Sequence, residues 1–304
     1  MITATLVREL REKTGAGMMD CKKALVETSG DFEKAVDCLR AKGLSAAAKK
    51  ADRIAAEGLT ACYVEGNKAA IIELNSETDF VARNEQFQNL VSEIAKIAPS
   101  YENLEELNLA QLSNGKTVSE EIVSSVALIG ENLNLRRFAS LKVKQGIIGS
   151  YVHNSVAKDM GKIAVLVGIE TPSNSPEIHS LGKQLAMHVA AARPLVLNSE
   201  ELDLSLVERE KAIVIEQCKA SKKPDSIIEK MIEGRTKKFY QESVLNEQIF
   251  VVDGKTPIYE LLAEFSKKIG QEVKISSFVR FELGEGIEKQ ETDFAAEVAQ
   301  VSGN

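Results

Sequence analysis

One pattern occurs twice in this chain and limits its folds more than any other feature. Gly58-Leu59-Thr60-Ala61-Cys62-Tyr63-Val64 matches Gly146-Ile147-Ile148-Gly149-Ser150-Tyr151-Val152 in pattern. Lys68 to Leu74 matches Lys162 to Gly168 as a second apolar run. A stripe then follows each copy. Phe87, Leu90, Ile94 and Ile97 form the first, and Ile178, Leu181, Leu185 and His188 form the second at identical spacing. Short apolar runs read as strands, and apolar residues at threes and fours read as one face of a helix. Two strands and a helix, repeated, predict an α+β fold with two pseudo-repeated half-domains, each an antiparallel sheet with helices on one face. Further strand-like alternation lies at Phe138 to Val143 and at Phe278 to Leu283, where Val279, Phe281 and Leu283 share a face.

Helical segments flank and interrupt this pair. Residues 1 to about 43 read as three short helices. Thr3 or Thr5 caps the first, with Leu6, Val7 and Leu10 inward, and Gly15-Ala16-Gly17 ends it. The second carries Met18, Met19, Ala24 and Leu25 and stops at Gly30. Asp31 caps the third, which shows Phe32, Ala35, Val36 and Leu39 before Gly43. Such a small module has a thin core and suits docking. Met18 and Met19 either pack inside it or offer adaptable contacts to a partner. Leu44 to Glu57 reads as a helical connector, and Tyr101 to Glu131 as polar and mostly helical.

Pro194 to Glu242 breaks the second repeat. Val207, Val214 and Cys218, then Ile227, Ile228, Met231 and Ile232, recur at helical spacing around the turn Ser221-Lys222-Lys223-Pro224-Asp225. This predicts an inserted coiled-coil hairpin with Pro224 in a first helical turn. Strand signal resumes at Ile249-Phe250-Val251-Val252, and a helix follows with Thr256 as cap and Pro257 in its first turn. The expected division is 1–54, 55–140, 141–282 with the hairpin at about 194–243, and 283–304 as a C-terminal helical module.

The two repeats also define a corner. The strand Ala69 to Leu74 runs into Asn75-Ser76-Glu77-Thr78-Asp79-Phe80-Val81, and a helix leads out. Thr78 is a candidate N-cap, and Asp79 would sit in the first turn, where the helix dipole favours a carboxylate. Spacing groups Phe80 with Phe87 and favours the core. A large apolar residue at a corner otherwise points out at a partner. Thr-Asp-Phe recurs at Thr292-Asp293-Phe294.

Several classes of chemistry find no support. A net charge of −7 argues against non-specific nucleic-acid binding, which needs a basic surface. No run reaches the roughly twenty apolar residues of a membrane span, and the N-terminus lacks a secretory signal pattern. Cys21, Cys38, Cys62 and Cys218 show no CxxC spacing, which suggests reduced thiols in a cytosol. Gly115-Lys116-Thr117 and Gly254-Lys255-Thr256 lack the first glycine of a phosphate-binding loop; Ala110 and Ile249 stand there. His153, His179 and His188 make no metal-ligand pattern. His188 lies on an apolar stripe, and His153 opens a polar loop. No catalytic constellation is legible, so an enzyme with covalent chemistry, a cofactor or a metal of its own is not expected. An adaptor that bridges proteins, or an RNA-binding protein, remains a rival.

Thr14-Gly15-Ala16-Gly17-Met18-Met19-Asp20-Cys21-Lys22-Lys23-Ala24-Leu25 resembles the N-terminal signature of bacterial elongation factor Ts, and Thr78-Asp79-Phe80-Val81 resembles its second signature. Similar blocks are Gly130-Glu131-Asn132 with Arg136-Arg137, Met187 to Ala191, Glu233-Gly234-Arg235, and Phe278 to Phe281 running into Gly284 to Lys289. The resemblance implies a ubiquitin-associated-like three-helix module, a pseudo-repeated core, a coiled-coil hairpin and a C-terminal helix. It implies guanine-nucleotide exchange on elongation factor Tu in the cytoplasm, with no direct nucleic-acid or membrane partner. It assigns Mg²⁺ dislocation to Thr78, Asp79, Phe80 and Val81, with Phe80 as a wedge. Met18, Met19 and Lys22 would grip the GTPase, and His153 would meet another of its domains. The loop from Asn154 to Met160 is longer than in the shortest members, which puts His153's role in question.

Overall fold

The computed structural model describes residues 2–14, 16–220 and 225–288. The chain begins with α1 (Ala4–Thr14), α2 (Met18–Glu27) and α3 (Phe32–Lys50). The first repeat follows as β1 (Glu57–Glu65), β2 (Lys68–Ser76) and α4 (Glu85–Ile97). Next come α5 (Leu104–Leu109), α6 (Val118–Ile129) and β3 (Asn134–Lys142). The second repeat is β4 (Gly146–His153), a two-residue strand β5 (Met160–Gly161), β6 (Ile163–Glu170) and α7 (Pro176–Ala192). Then α8 (Leu204–Ala220), α9 (Asp225–Ser243), α10 (Ile258–Ile269) and β7 (Lys274–Glu282) complete the described part. Among these residues no helix is long and apolar enough to cross a membrane.

Both repeats form antiparallel pairs, β1 with β2 and β4 with β6. The sheets have the orders β3-β2-β1-β5 and β4-β6-β7. Each copy opens on a glycine that no other residue could replace. Gly58 and Gly146 have φ of +117° and +151°, and an added Cβ would lie 2.3 Å from the Leu74 carbonyl oxygen or 1.9 Å from that of Ile169. In this region of φ, L side chains are strained even where space allows.

The strands are apolar on both faces because both faces are buried. On β2, Ala70, Ile72 and Leu74 face α4 and α6, while Ala69 and Ile71 face the other sheet. On β6, Val165, Val167 and Ile169 face α7 and α10, while Ala164 and Leu166 meet the first sheet. The layers therefore run helices, sheet, sheet, helices. The expectation of helices on one face of each sheet leaves the opposite faces to cover each other, and they do.

One buried carboxylate ties these layers. Glu73 on β2 is fully buried on the face toward the second sheet. It accepts hydrogen bonds from Arg136 (3.2 Å), from Arg137 Nε, from Asn75 Nδ2 (2.9 Å) and from the Gly284 amide (2.9 Å). Arg137 also lies 4.4 Å over the Phe281 ring and donates to the Glu282 carbonyl at 2.7 Å. Arg136 donates to the Glu285 carbonyl at 2.6 Å. Gly284 is at φ +72°, with the Ala56 carbonyl where a Cβ would be.

A second buried polar group holds the base of the helical hairpin. His188 has no solvent exposure. Its Nδ1 accepts from the Val251 amide at 3.3 Å, so Nε2 carries the proton and donates to Gln248 Oε1 at 2.9 Å. Gln248 then donates to the Ala192 and Glu242 carbonyls. His188 is thus a satisfied core residue. Helices α8 and α9 run antiparallel, as the pairs Glu210–Arg235 and Cys218–Met231 require. Val207, Val214 and Cys218 are buried as their spacing suggests.

The structure corrects several expectations. The third helix does not stop at Gly43 but runs on to Lys50: Gly43 is buried where α3 lies against α6, and the alanine-rich stretch beyond favours helix. The segment Tyr101 to Glu131 is mostly helical as expected but not wholly polar, since Leu107, Val118, Ile122 and Val126 enter the first core. Ile249 to Val252 is a turn with one bridge, not a strand: Phe250 alone is buried, and Asp253 accepts from the Lys255 and Thr256 amides. Pro257, rather than Thr256, is the N-cap of α10. Gly115-Lys116-Thr117 is a turn whose Thr117 closes a capping box on α6. Gly15, the turn at 221–224, Thr292-Asp293-Phe294 and all but the first residues of the expected C-terminal module lie outside the described residues.

Two measurements check this account. Glu73→Ala leaves two arginines facing a void and is expected to cost about 3–5 kcal/mol in urea unfolding, as removing one partner of a buried pair does. Burial holds the His188 pKa below its ordinary 6.5, with the Gln248 hydrogen bond opposing in part. Below about pH 6.5 the unfolded chain takes up a proton that the native state resists, so stability falls as pH drops toward the native value. His188→Gln has no proton to gain. Its unfolding free energy is expected to change less than that of the unaltered chain between about pH 7.5 and about pH 5.5.

Candidate functional site

The corner between β2 and α4 is pinned on both sides of an exposed ring. Phe80 is 79% exposed, whereas Val81 and Ala82 immediately after it are 6% and 3% exposed. Val81–Arg83 forms one 3-10 turn, in which the Arg83 amide donates to the Phe80 carbonyl at 3.1 Å. Gln88 secures this turn through the Ala82 carbonyl at 2.9 Å.

The other side is held by acidic side chains. Glu131 accepts from the Thr78 amide at 2.9 Å and the Thr78 hydroxyl at 2.6 Å. Glu77 accepts from the Asn132 amide at 2.6 Å and faces the Arg53 guanidinium at 3.4 Å. Ser76 donates to the Thr78 carbonyl at 2.9 Å. Thr78 is therefore not the helix cap expected of it. Asn84 fills that position, accepting from the Gln86 and Phe87 amides, and the Thr78 hydroxyl is committed to Glu131. Asp79 is exposed in the turn before Phe80 rather than in the first turn of α4.

The remaining candidates stand on other elements. Met18 and Met19 are 58% and 62% exposed at the start of α2, and Lys22 is exposed on the same helix. Cys21, Ala24 and Leu25 turn the opposite side of α2 into the three-helix core. His153 ends β4, exposed, with Nδ1 3.1 Å from the Tyr151 hydroxyl. The loop after it folds back so that β5 pairs with β1, and Thr60 donates to the Gly161 carbonyl at 3.0 Å. That extra length joins the second repeat to the first sheet. Among the described residues, no group of three or more His, Cys, Asp or Glu side chains could hold a metal ion.

This surface offers groups for noncovalent contact. It offers a benzyl group that cannot retreat, flanked by a carboxylate, and two thioethers on a separate helix. Leaving the ring in water forgoes roughly 1.5–3 kcal/mol that burial would supply. A family profile described as Elongation factor TS matches residues 77–285, from this corner to the turn after β7. The chain belongs to that family. It is 56% identical over 301 residues to elongation factor Ts of Rickettsia bellii, covering 99% of this chain and 97% of the relative. Identity is 53% over 302 residues with elongation factor Ts of Rickettsia felis, covering 99% and 98%. For Sphingopyxis alaskensis it is 52% over 304 residues, covering 99% of each.

Residue-level reasoning missed the clamp. Glu131 and Asn132 were visible only as part of a family-like block, and nothing local links them to Thr78 more than fifty positions away. Glu131→Ala is expected to raise hydrogen exchange at the Thr78 amide by roughly tenfold or more, because a hydrogen bond to a charged group contributes about 1.5–3 kcal/mol. NMR of the isolated chain reads this directly.

Proposed function

We propose that the chain is a guanine-nucleotide exchange factor for elongation factor Tu in translation elongation, working in the cytoplasm. It binds the GDP-bound GTPase, loosens Mg²⁺ through the Thr78–Val81 corner and lets GDP leave so that GTP can enter. Family membership supports the activity. The observation that carries the mechanism is Phe80, held out in solvent by buried Val81 and Ala82 on one side and the Glu131 clamp on the other.

The physical basis is linkage. A GTPase holds its nucleotide partly through Mg²⁺ bridging the phosphates and a loop hydroxyl. A protein that prefers the metal-free conformation weakens nucleotide binding, and nucleotide weakens that protein's binding by the same factor. Moving such an equilibrium from 1:99 to 99:1 takes about 5.5 kcal/mol of differential affinity. One phenylalanine supplies roughly 1.5–3 kcal/mol on burial, so Phe80 needs help from a broad interface. Residues 1–54, with Met18, Met19 and Lys22, would grip the GTP-binding domain together with 283–304. Residues 55–140 would present the corner, and 141–282, with His153, would meet a further domain. Asp79 would displace groups near the metal. The chain itself would bind no cofactor and make no covalent bond.

Release of a fluorescent GDP from purified elongation factor Tu tests the reading. The unaltered chain is expected to accelerate release. Phe80→Ala is expected to slow the accelerated release at least tenfold, about 1.4 kcal/mol, with an unchanged melting temperature. An unaltered chain that leaves the GDP off-rate where it was defeats the exchange reading; a Phe80→Ala protein with full activity defeats the wedge.

A further inference from the structure

We propose that Asn132 is a positioning residue that fixes the three-helix module to the Phe80 corner, so that the two dock as one rigid body. This rests on the exchange reading above and adds, beside the Glu77–Arg53 pair, a tie to the backbone that follows α3. The path between the two surfaces is continuous. Helix α3 contributes Ala35 to the core of the three-helix module near its start, then lies along α6, where a Cβ on Gly43 would sit 3.7 Å from that of Ala127 and where Arg40 pairs with Glu120. At 19 residues and about 1.5 Å per residue it spans roughly 28 Å. Its end meets the loop after α6, where Lys50 donates to the Gly130 carbonyl at 2.6 Å.

Asn132 joins the three pieces at that point. Its side-chain amide donates to the Ala51 carbonyl at 3.3 Å and the Arg53 carbonyl at 2.8 Å. Its backbone amide donates to Glu77 at 2.6 Å. Both side-chain partners are carbonyl oxygens, so only the nitrogen can face them, and a carboxylate at this position would be repelled. The neighbouring Glu131 holds Thr78. One short loop therefore fixes the end of α3 and the start of the corner together. A rigid connection raises the effective concentration of the second contact once the first has formed, whereas a loose one dilutes it. Contacts made by Met18 and Met19 would then hold Phe80 in register with its target.

Asn132→Asp and Asn132→Ala test this with two readouts. The first needs no partner: amide exchange across 51–56 in the isolated chain is expected to rise at least tenfold in both variants, with circular dichroism unchanged. The second is a double-mutant cycle of Met19→Ala and Phe80→Ala on fluorescent-GDP release. In the unaltered background the two losses are expected to be coupled, the effect of Met19→Ala shrinking at least threefold once Phe80 is gone. In the Asn132→Asp background they are expected to become independent. A merely stabilising asparagine would lower the melting temperature and leave the cycle as it was. Unchanged exchange across 51–56, or coupling that persists in Asn132→Asp, overturns the proposal while leaving the exchange activity standing. Failure of the unaltered chain to accelerate release overturns the exchange reading instead, and the partner-free exchange measurement still decides whether Asn132 fixes the module.

Discussion

A single carboxylate in an apolar interior governs how the two halves of this protein meet. Glu73 sits where two sheets face each other, and burying its charge is unfavourable unless every lone pair is used. It gathers two arginines, an asparagine amide and a backbone amide from three separate places in the chain. Two of those donors are consecutive residues of β3, and one lies beyond β7, so the requirement of one side chain fixes the relation between the sheets. The apolar contact between them is built mostly from Ala, Val, Leu and Ile, with Cys62 and Phe281. Such residues tolerate sliding, and a charge with assigned partners does not.

The same logic recurs at smaller scale. His188 fixes the hairpin's base through Gln248 and the Val251 amide, and Glu131 fixes the corner through Thr78. In each case an apolar scaffold supplies the stability and one polar group supplies the register. The candidate surface around Phe80 inherits its stiffness from this arrangement. Phe80 is exposed without being loose, because both of its flanks are committed elsewhere.

Local patterns carried the elements well. The duplicated strand-strand-helix units, the caps at Thr3 and Asp31, and the buried stripe from Phe87 to Ile94 all follow from period and turn chemistry. The misses share a cause. Thr78 looks like a cap until Glu131 takes its hydroxyl. Gly43 looks like a stop until α6 lies against it. Ile249 to Val252 looks like a strand until only Phe250 proves to be buried. The first two were decided by residues distant in sequence, which no window of ten or fifteen positions contains, and the third by the local turn at Asp253. The candidate site was legible as a motif, and the orientation of its ring was not: spacing alone assigned Phe80 to the wrong side of the surface.

The root of the hairpin has one more implication. Val196 bridges Val244 in parallel, and Leu195 donates to the Ser243 carbonyl at 2.8 Å, so the chain leaves and re-enters the body through adjacent doorways. Beyond Val207 and before Phe239, whose side chains pack at this root, material can be gained or lost in whole helical turns without disturbing the body. Descendants of this fold are thus free to lengthen, trim or repurpose that arm, while the body that bears it stays unaltered.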